Sequence, residues 1–231
     1  MRQSVKVLQS QGFGSRKECE FIFLHQIKKL NNQPFDPNLQ QLKYGDTIEW
    51  NNQIYTLQEH VYLIMNKPAG YETSHKPTHH PSVFRLLPTH FLNRGVQAIG
   101  RLDVDTTGIL LLSDDGQFIH RLISGNKGKK DPIEKEYWIT CADPIDIELI
   151  DQLLQGVELN DEPEPISAEV VLKTGEHHLK MIINTGKYHQ VKRMIAAAGN
   201  HVVELHRHRV GPYVLPEDLK PGEFICTKAL C

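Results

Sequence analysis

What the sequence lacks sets its first limits. No apolar run approaches the roughly 18 residues that a membrane-crossing helix needs. The opening MRQSVKVLQSQGFG has no apolar core of the kind a secretory signal carries. The expectation is therefore a cytoplasmic protein with no membrane partner. None of Cys19, Cys141, Cys226 and Cys231 forms a Cys-x-x-Cys pair. Spacing and compartment then favour free thiols over disulfides or a zinc ribbon. Basic excess is missing too: 26 Lys and Arg against 28 Asp and Glu leave a net charge of −2. The global sign of a nucleic-acid binder is thus absent. Internal repeats and low-complexity tracts are also absent, which leaves an ordinary globular chain with 39% hydrophobic and 23% charged residues. Its 231 residues suffice for one medium domain or for a small one followed by a larger.

The charge is patchy, however. Between Met181 and Pro212 five basic residues (Lys187, Lys192, Arg193, Arg207 and Arg209) face one acid, Glu204, and four histidines lie among them. The run Asp161-Glu162-Pro163-Glu164-Pro165 is an acidic counterweight with the composition of a solvated turn. An acidic total distributed in this way does not exclude RNA.

Periodicity divides the chain at about residue 59 or 60. In 1–59, helical apolar spacing runs over Ser4–Gln11 and Arg16–Ile27, with Gly12 and Gly14 as breaks and Ser15 as an N-cap. Short strands are expected at Lys29–Leu30 and Thr47–Trp50, with turns at Asn31-Asn32 and Gly45-Asp46. In 60–231, strands are expected at Val61–Met65, Gly108–Ser113, Glu136–Cys141, Ala168–Leu172 and His178–Asn184. Helices are expected at Ser82–Leu87, Gln117–Ser124, Ile145–Gln155 and Tyr188–Ala198. No regular βαβ repeat emerges, so the fold class predicted is α+β, mixed and largely antiparallel.

The segment densest in chemistry is Gly100-Arg101-Leu102-Asp103-Val104-Asp105-Thr106-Thr107-Gly108, leading into Ile109-Leu110-Leu111-Leu112-Ser113. A polar loop feeds an apolar strand, and loops held by such strands are where catalytic groups tend to sit. From the residues alone, the loop also fits a polar turn whose Asp and Thr side chains satisfy backbone N–H groups.

The wider pattern favours catalysis. GRLDVDTTGILLLSDDG resembles the catalytic motif of the RsuA group of pseudouridine synthases, which modify bacterial ribosomal RNA. Asn66-Lys67-Pro68-Ala69-Gly70 resembles the group's first motif, and Glu134-Lys135-Glu136-Tyr137 its tyrosine strand. Thr185-Gly186-Lys187-Tyr188-His189-Gln190-Val191-Lys192-Arg193-Met194 resembles the last. The resemblance extends over nearly the whole chain, and four motifs in the family's order make it specific.

The resemblance implies an rRNA-modifying isomerase with no cofactor, in which Asp103 is the catalytic aspartate. Tyr137 stacks on the target base, Lys192 is the basic partner of the aspartate, and Val191 is an apolar floor. Arg101, Lys67, Lys187 and Arg193 are the expected substrate contacts. The chemistry suits these residue types. The C–N glycosidic bond breaks, the base turns and C5 bonds to the sugar; one carboxylate serves by covalent catalysis, whichever carbon it attacks. The target uridine must first leave its stack. Lys192 and Arg193 point about 100° apart on a helix, so one meets the aspartate and the other RNA phosphate. The resemblance favours Lys192 for the inner role.

Residues 1–59 resemble the small alpha-L type RNA-binding domain that often precedes this catalytic domain, through Gln11-Gly12-Phe13-Gly14-Ser15-Arg16-Lys17-Glu18-Cys19. Arg16, Lys17, Lys28 and Lys29 are its candidate RNA contacts. The stretch His25–Gln33 departs from the Gly-Arg-Val-x-Val-Asn-Gly-like run usual there. The expected partner is ribosomal RNA or a subunit assembly intermediate, met by a monomer. The YHQVKRM run points to small-subunit 16S RNA, with large-subunit RNA as the rival.

Two other classes compete: a non-catalytic RNA-binding assembly factor, and a glycoside hydrolase using Asp103 with Asp105. Neither accounts for Tyr137, Lys192 and the basic N-terminal unit together. The histidines (His75, His79 and His80; His177 and His178; His206 and His208) lack the Cys or carboxylate set that completes a familiar metal site, so no metal is expected.

Overall fold

The computed structural model describes residues 1–123 and 133–230. Ser124, the expected end of one helix, and Cys231 lie outside the described residues.

The chain opens with α1 (Arg2–Ser10) and α2 (Arg16–His25). Val5 and Leu8 of α1 pack with Cys19, Ile22 and Phe23 of α2, the i, i+3, i+4 stripe expected of them. Ser15 caps α2 in a reciprocal capping box with Glu18. Then come β1 (Lys29–Leu30), β2 (Gln33–Pro34), β3 (Thr47–Trp50) and β4 (Gln53–Thr56), a four-stranded sheet in the order β2-β1-β3-β4. Both of its tight hairpins turn on Asn-Asn. Asn31 and Asn32 have φ of 49° and 64°, and Asn51 and Asn52 have 49° and 58°. Two successive positive φ values match the twist of the flanking strands. The second hairpin was not expected, although its dipeptide is the same.

The second sheet contains β5 (Tyr62–Lys67), β6 (Gln97–Ile99), β7 (Thr107–Ser113), β8 (Lys135–Cys141), β9 (Val170–Lys173), β10 (His178–Ile183), β11 (Val202–Val210), β12 (Tyr213–Val214) and β13 (Phe224–Cys226). Its order is β13-β5-β7-β11-β8-β10-β9, with β6 on β7 and β12 on β11. Every pairing is antiparallel except β7 with β11. The fold is α+β and largely antiparallel, as the sequence predicts. The helices are α3 (Thr89–Asn93), α4 (Gly116–Ile123), α5 (Ile147–Gln155) and α6 (Gln190–Ala197). The expected helix at Ser82–Leu87 is only a 3-10 turn, Val83–Leu86.

Strand β7 is buried on both faces, which is why it reads as one continuous apolar run. Leu110 and Leu112 join Val61, Leu63 and Phe84 on one side. Ile109 and Leu111 join Phe118 and Tyr213 on the other. Helices α5 and α6 cover β8, β10 and β11 through Leu149, Leu153, Met194 and Ile195. The parallel β7–β11 contact is the seam between these cores. A Cβ at Gly108 (φ +103°) would lie 2.2 Å from the Arg207 carbonyl oxygen, so only glycine permits the approach.

Arg94 links the two sheets' territories. Its nearly buried guanidinium pairs with Asp114 at 2.7 Å and donates to Gln11 Oε1 at 2.8 Å and to the Glu59 carbonyl at 2.9 Å. Asn93 Nδ2 donates to the Gly12 carbonyl at 2.9 Å. The described cysteines, Cys19, Cys141 and Cys226, are free. No helix among the described residues is long and apolar enough to cross a membrane.

Candidate active site

At the seam a cavity of about 640 Å³ opens. One wall is the 100–106 loop, carried rigidly by the doubly buried β7. The others come from β8, β11 and the segment leading into α6. Asp103, Tyr137, Val191, Lys187 and Arg101 all line this cavity, so five of the eight predicted catalytic and substrate-contact residues converge.

The Asp103 carboxylate meets two side chains, Lys192 and His189. Lys192 Nζ is 3.1 Å from Oδ2 and His189 Nε2 is 3.2 Å from Oδ1. Lys192 also reaches Asp105 Oδ1 at 2.6 Å, so one ammonium bridges both carboxylates. Burial alone would lower the Lys192 amine, but the two carboxylates outweigh it and hold it above the ordinary lysine value. At Asp105 burial pushes up, and the hydrogen bond and charge of Lys192 pull the carboxyl below its usual value. Asp103 is therefore supplied with positive charge from a helix that the strong core contacts of Met194 and Ile195 fix in place.

The loop's backbone is held from beneath. Thr73 Oγ1 donates to the Leu102 carbonyl at 2.9 Å. The Gly70 N–H donates to Val104 at 2.7 Å. Lys67 Nζ donates to the carbonyls of Pro68, Val104 and Thr106 at 3.0, 3.3 and 2.9 Å. This corrects the expectation for Lys67. It is fully buried, at 0% exposure, and its amine serves the loop rather than a substrate. Burial is the main influence on that amine and takes it down to about 8; the charges of Asp105 and Asp103 oppose the shift without cancelling it.

A pH signature follows. Between about 8 and the ordinary 10.5 the folded protein binds fewer protons at Lys67 than the unfolded chain does. Stability from this group therefore rises with pH across that window. Raising pH from about 7.5 to about 9.5 should increase the unfolding free energy of the wild type relative to Lys67→Met by about 1–2 kcal/mol, measured by urea titration. A difference independent of pH would contradict the assignment.

Lys192 rather than Arg193 meets Asp103, as expected. The Arg193 guanidinium donates to the carbonyls of Tyr188 and Asn160. Lys187 lines the cavity but pairs with Glu162 at 2.7 Å. In the N-terminal unit none of the four basic candidates lines the cavity. Arg16 pairs with Glu20 at 3.1 Å and Lys29 with Glu49 at 2.8 Å. Lys28 donates to Asn52 at 2.6 Å, and Lys17 is exposed. Arg209, expected on a basic surface, pairs with Glu134 at 2.9 Å. His206 and His208 do share a face of β11, where His208 stacks on Trp138 at 4.1 Å. Among the described residues no group of three His, Cys, Asp or Glu is placed to hold a metal ion.

The cavity residues that received no role from the sequence include Thr106, Lys135 and His189, which lie inside the motifs quoted above. Arg207, expected with Lys187, Arg193 and Arg209 on a basic surface near the active site, lines the cavity instead. It sits in a run of alternating His and Arg that reads as exposed, yet it is 3% exposed.

Residues 61–197 match the family model described as RNA pseudouridylate synthase. The chain belongs to that family and is an RNA pseudouridine synthase of the RsuA group. Over 187 residues it is 41% identical to the ribosomal small subunit pseudouridine synthase A of Vibrio cholerae, covering 80% of this chain and 78% of that one. Over 170 residues it is 42% identical to the protein of the same description from Escherichia coli K12, covering 71% and 68%. A solved structure described as a pseudouridylate synthase superposes with a TM-score of 0.67 at 32% identity, covering 97% of this chain and 95% of that one.

Proposed function

We propose that the protein isomerises one uridine of small-subunit 16S ribosomal RNA to pseudouridine, with Asp103 as the catalytic carboxylate. The observation that carries this reading is that Asp103 and Tyr137 line one cavity, with Lys192 3.1 Å from the Asp103 carboxylate, in a chain that belongs to the RNA pseudouridine synthases. The small-subunit choice is supported by the relatives, which are described as small-subunit enzymes at 41% and 42% identity.

Each residue's part follows from its surroundings. The flipped uracil enters a cavity whose walls include Ile183, Val191 and Leu205, and stacks on Tyr137. Asp103 acts on the base or sugar, with Lys192 Nζ 3.1 Å and His189 Nε2 3.2 Å from its carboxylate oxygens. Lys192 also spans Asp105, which orients its amine. Arg101 is exposed at the rim and unpaired among the described residues, where RNA phosphate passes. Arg16, Lys17, Lys28 and Lys29 position the RNA through phosphate contacts, which carry no sequence information. Residues 1–59 act as the RNA-binding unit and residues 60–231 as the catalytic one.

The test is to map pseudouridine in ribosomal RNA from cells with and without this protein. One site in 16S RNA should disappear with the protein and return when it is restored. Loss confined to the large-subunit RNA would overturn the substrate choice, and an unchanged map would overturn the reading.

A further inference from the structure

Among the described residues, two buried side-chain polar atoms have no hydrogen-bond partner: Thr106 Oγ1 and Arg207 Nη2. Both residues line the same cavity. Thr106 is 1% exposed and Arg207 3%. An orphaned buried donor costs about 1–3 kcal/mol, so two of them on one cavity wall mark groups waiting for a ligand. Lys135 lines the cavity too. Among the described residues its amine donates to the Ile133 and Thr185 carbonyls, at 3.4 and 3.2 Å. Neither Lys135 nor Arg207 is ion-paired among the described residues. Burial lowers the Lys135 amine to about 8, and the charge of Arg207 adds to that effect. The cavity thus holds two neighbouring cations without a carboxylate of their own, whereas Lys192 is already matched by Asp103 and Asp105.

The depth of these groups identifies the ligand. Arg207 is the register partner of Tyr137 across β11 and β8. Around them stand Ile133, Ile183, Val191, Leu205 and Val210. Apolar walls suit a planar base and would desolvate a phosphodiester. We propose that Arg207, Thr106 and Lys135 form the uracil-edge site: Thr106 and Arg207 hydrogen-bond the carbonyl-bearing edge, and the two cations hold the negative charge that the base acquires when its glycosidic bond breaks.

This rests on the proposed reading of the cavity as the uridine site, and it names groups beyond Asp103, Tyr137 and Lys192. The step balances. The C1′–N1 bond breaks with its electron pair going to the base, where the charge spreads over O2 and O4. C5 then bonds to C1′ and gives up its proton, and N1 gains one. Nothing is oxidised, and product and substrate are isomers. Fixed positive groups aimed at developing charge lower the barrier without reorganisation.

The test uses full-length wild type, Thr106→Val, Lys135→Gln and Lys135→Arg. The substrate is ribosomal RNA, free and as subunit particles, from cells lacking the protein. Single-turnover pseudouridine formation and RNA dissociation constants are read separately. Thr106→Val removes a hydroxyl that bonds nothing in the free protein, so it should leave the melting temperature unchanged or raised. Its rate should nonetheless fall about tenfold or more, and that of Lys135→Gln on the order of 100-fold. Affinity should change less than about threefold in both, and Lys135→Arg should recover most of the rate. Wild-type rates in Thr106→Val and Lys135→Gln would overturn the inference while leaving the enzyme reading intact. So would losses in affinity at an unchanged saturated rate, which describe an outer phosphate site. An inactive wild type would overturn the enzyme reading itself.

Discussion

Asp103→Asn is expected to fold with a melting temperature within about 5 °C of the wild type and to form no pseudouridine. The amide matches the carboxylate in shape but lacks its negative charge and its nucleophilic or basic oxygen. The environment tolerates the exchange. Lys192 keeps Asp105 at 2.6 Å, so its ammonium is not left unpaired. His189, whose side chain is 39% exposed, returns to solvent contact. The loop itself stays in place, because Lys67, Gly70 and Thr73 hold its backbone rather than the Asp103 side chain. Loss of a group at the centre of the chemistry costs on the order of 10⁴-fold in rate or more. Pseudouridine quantified in RNA after extended incubation with each protein checks this, and appreciable conversion by Asp103→Asn would remove Asp103 from the mechanism.

The second large effect belongs to Tyr137, through two separable properties of one ring. Tyr137 is 8% exposed and belongs to the core beneath α5 and α6, yet it also faces the cavity. Its hydroxyl makes no hydrogen bond among the described residues, so Tyr137→Phe strands no partner and leaves the fold unchanged. RNA affinity should hold in that variant and most of the activity should go, because the hydroxyl, free in the unliganded protein, serves the reaction. Tyr137→Ala loses the platform as well. Stacking is worth ~1–3 kcal/mol per base, and the buried ring's removal costs about 3–5 kcal/mol of stability. Affinity and unfolding free energy should both drop in that variant. Unchanged rates in both variants would make Tyr137 a packing residue alone.

The legibility of this protein varied with the physical signal available. Strand β7 was readable because burial on both faces leaves an unbroken apolar run. Ser15 and Glu18 were readable because a capping box has fixed spacing. Strand β11 was not, because His206-Arg207-His208-Arg209 looks polar throughout. Its alternation hides a buried arginine behind histidines that stack on an exposed face. Lys67 was located correctly in its motif but misread in role. A lysine near a catalytic loop looks like a substrate contact, and only the three carbonyls around its amine show that it supports the backbone. Short edge strands such as β2, β4, β12 and β13 carried too few residues for a period to register.

The architecture also explains why deletion of residues 1–59 is a demanding experiment. Asp114 would keep Arg94 at 2.7 Å, but the Gln11 and Glu59 acceptors would go and Asn93 would lose the Gly12 carbonyl. The apolar contacts of β5 with β7 remain complete without that unit. The core around Asp103, Tyr137 and Lys192 thus has its own packing, while the N-terminal sheet brings its own hydrophobic cluster around Leu8, Phe23 and Ile48.

The most direct test of the central claim follows the proton at C5. Ribosomal RNA labelled with tritium at uridine C5, taken from cells lacking the protein, is incubated with purified wild-type protein and excess strong chelator. Isomerisation exchanges the C5–H bond for the bond to the sugar, so each modified uridine releases its label to water. The account predicts release that plateaus at about one tritium per small-subunit RNA, undiminished by the chelator, and none with Asp103→Asn. No release from the wild type, or release that stops with chelator and returns on adding zinc, would contradict it.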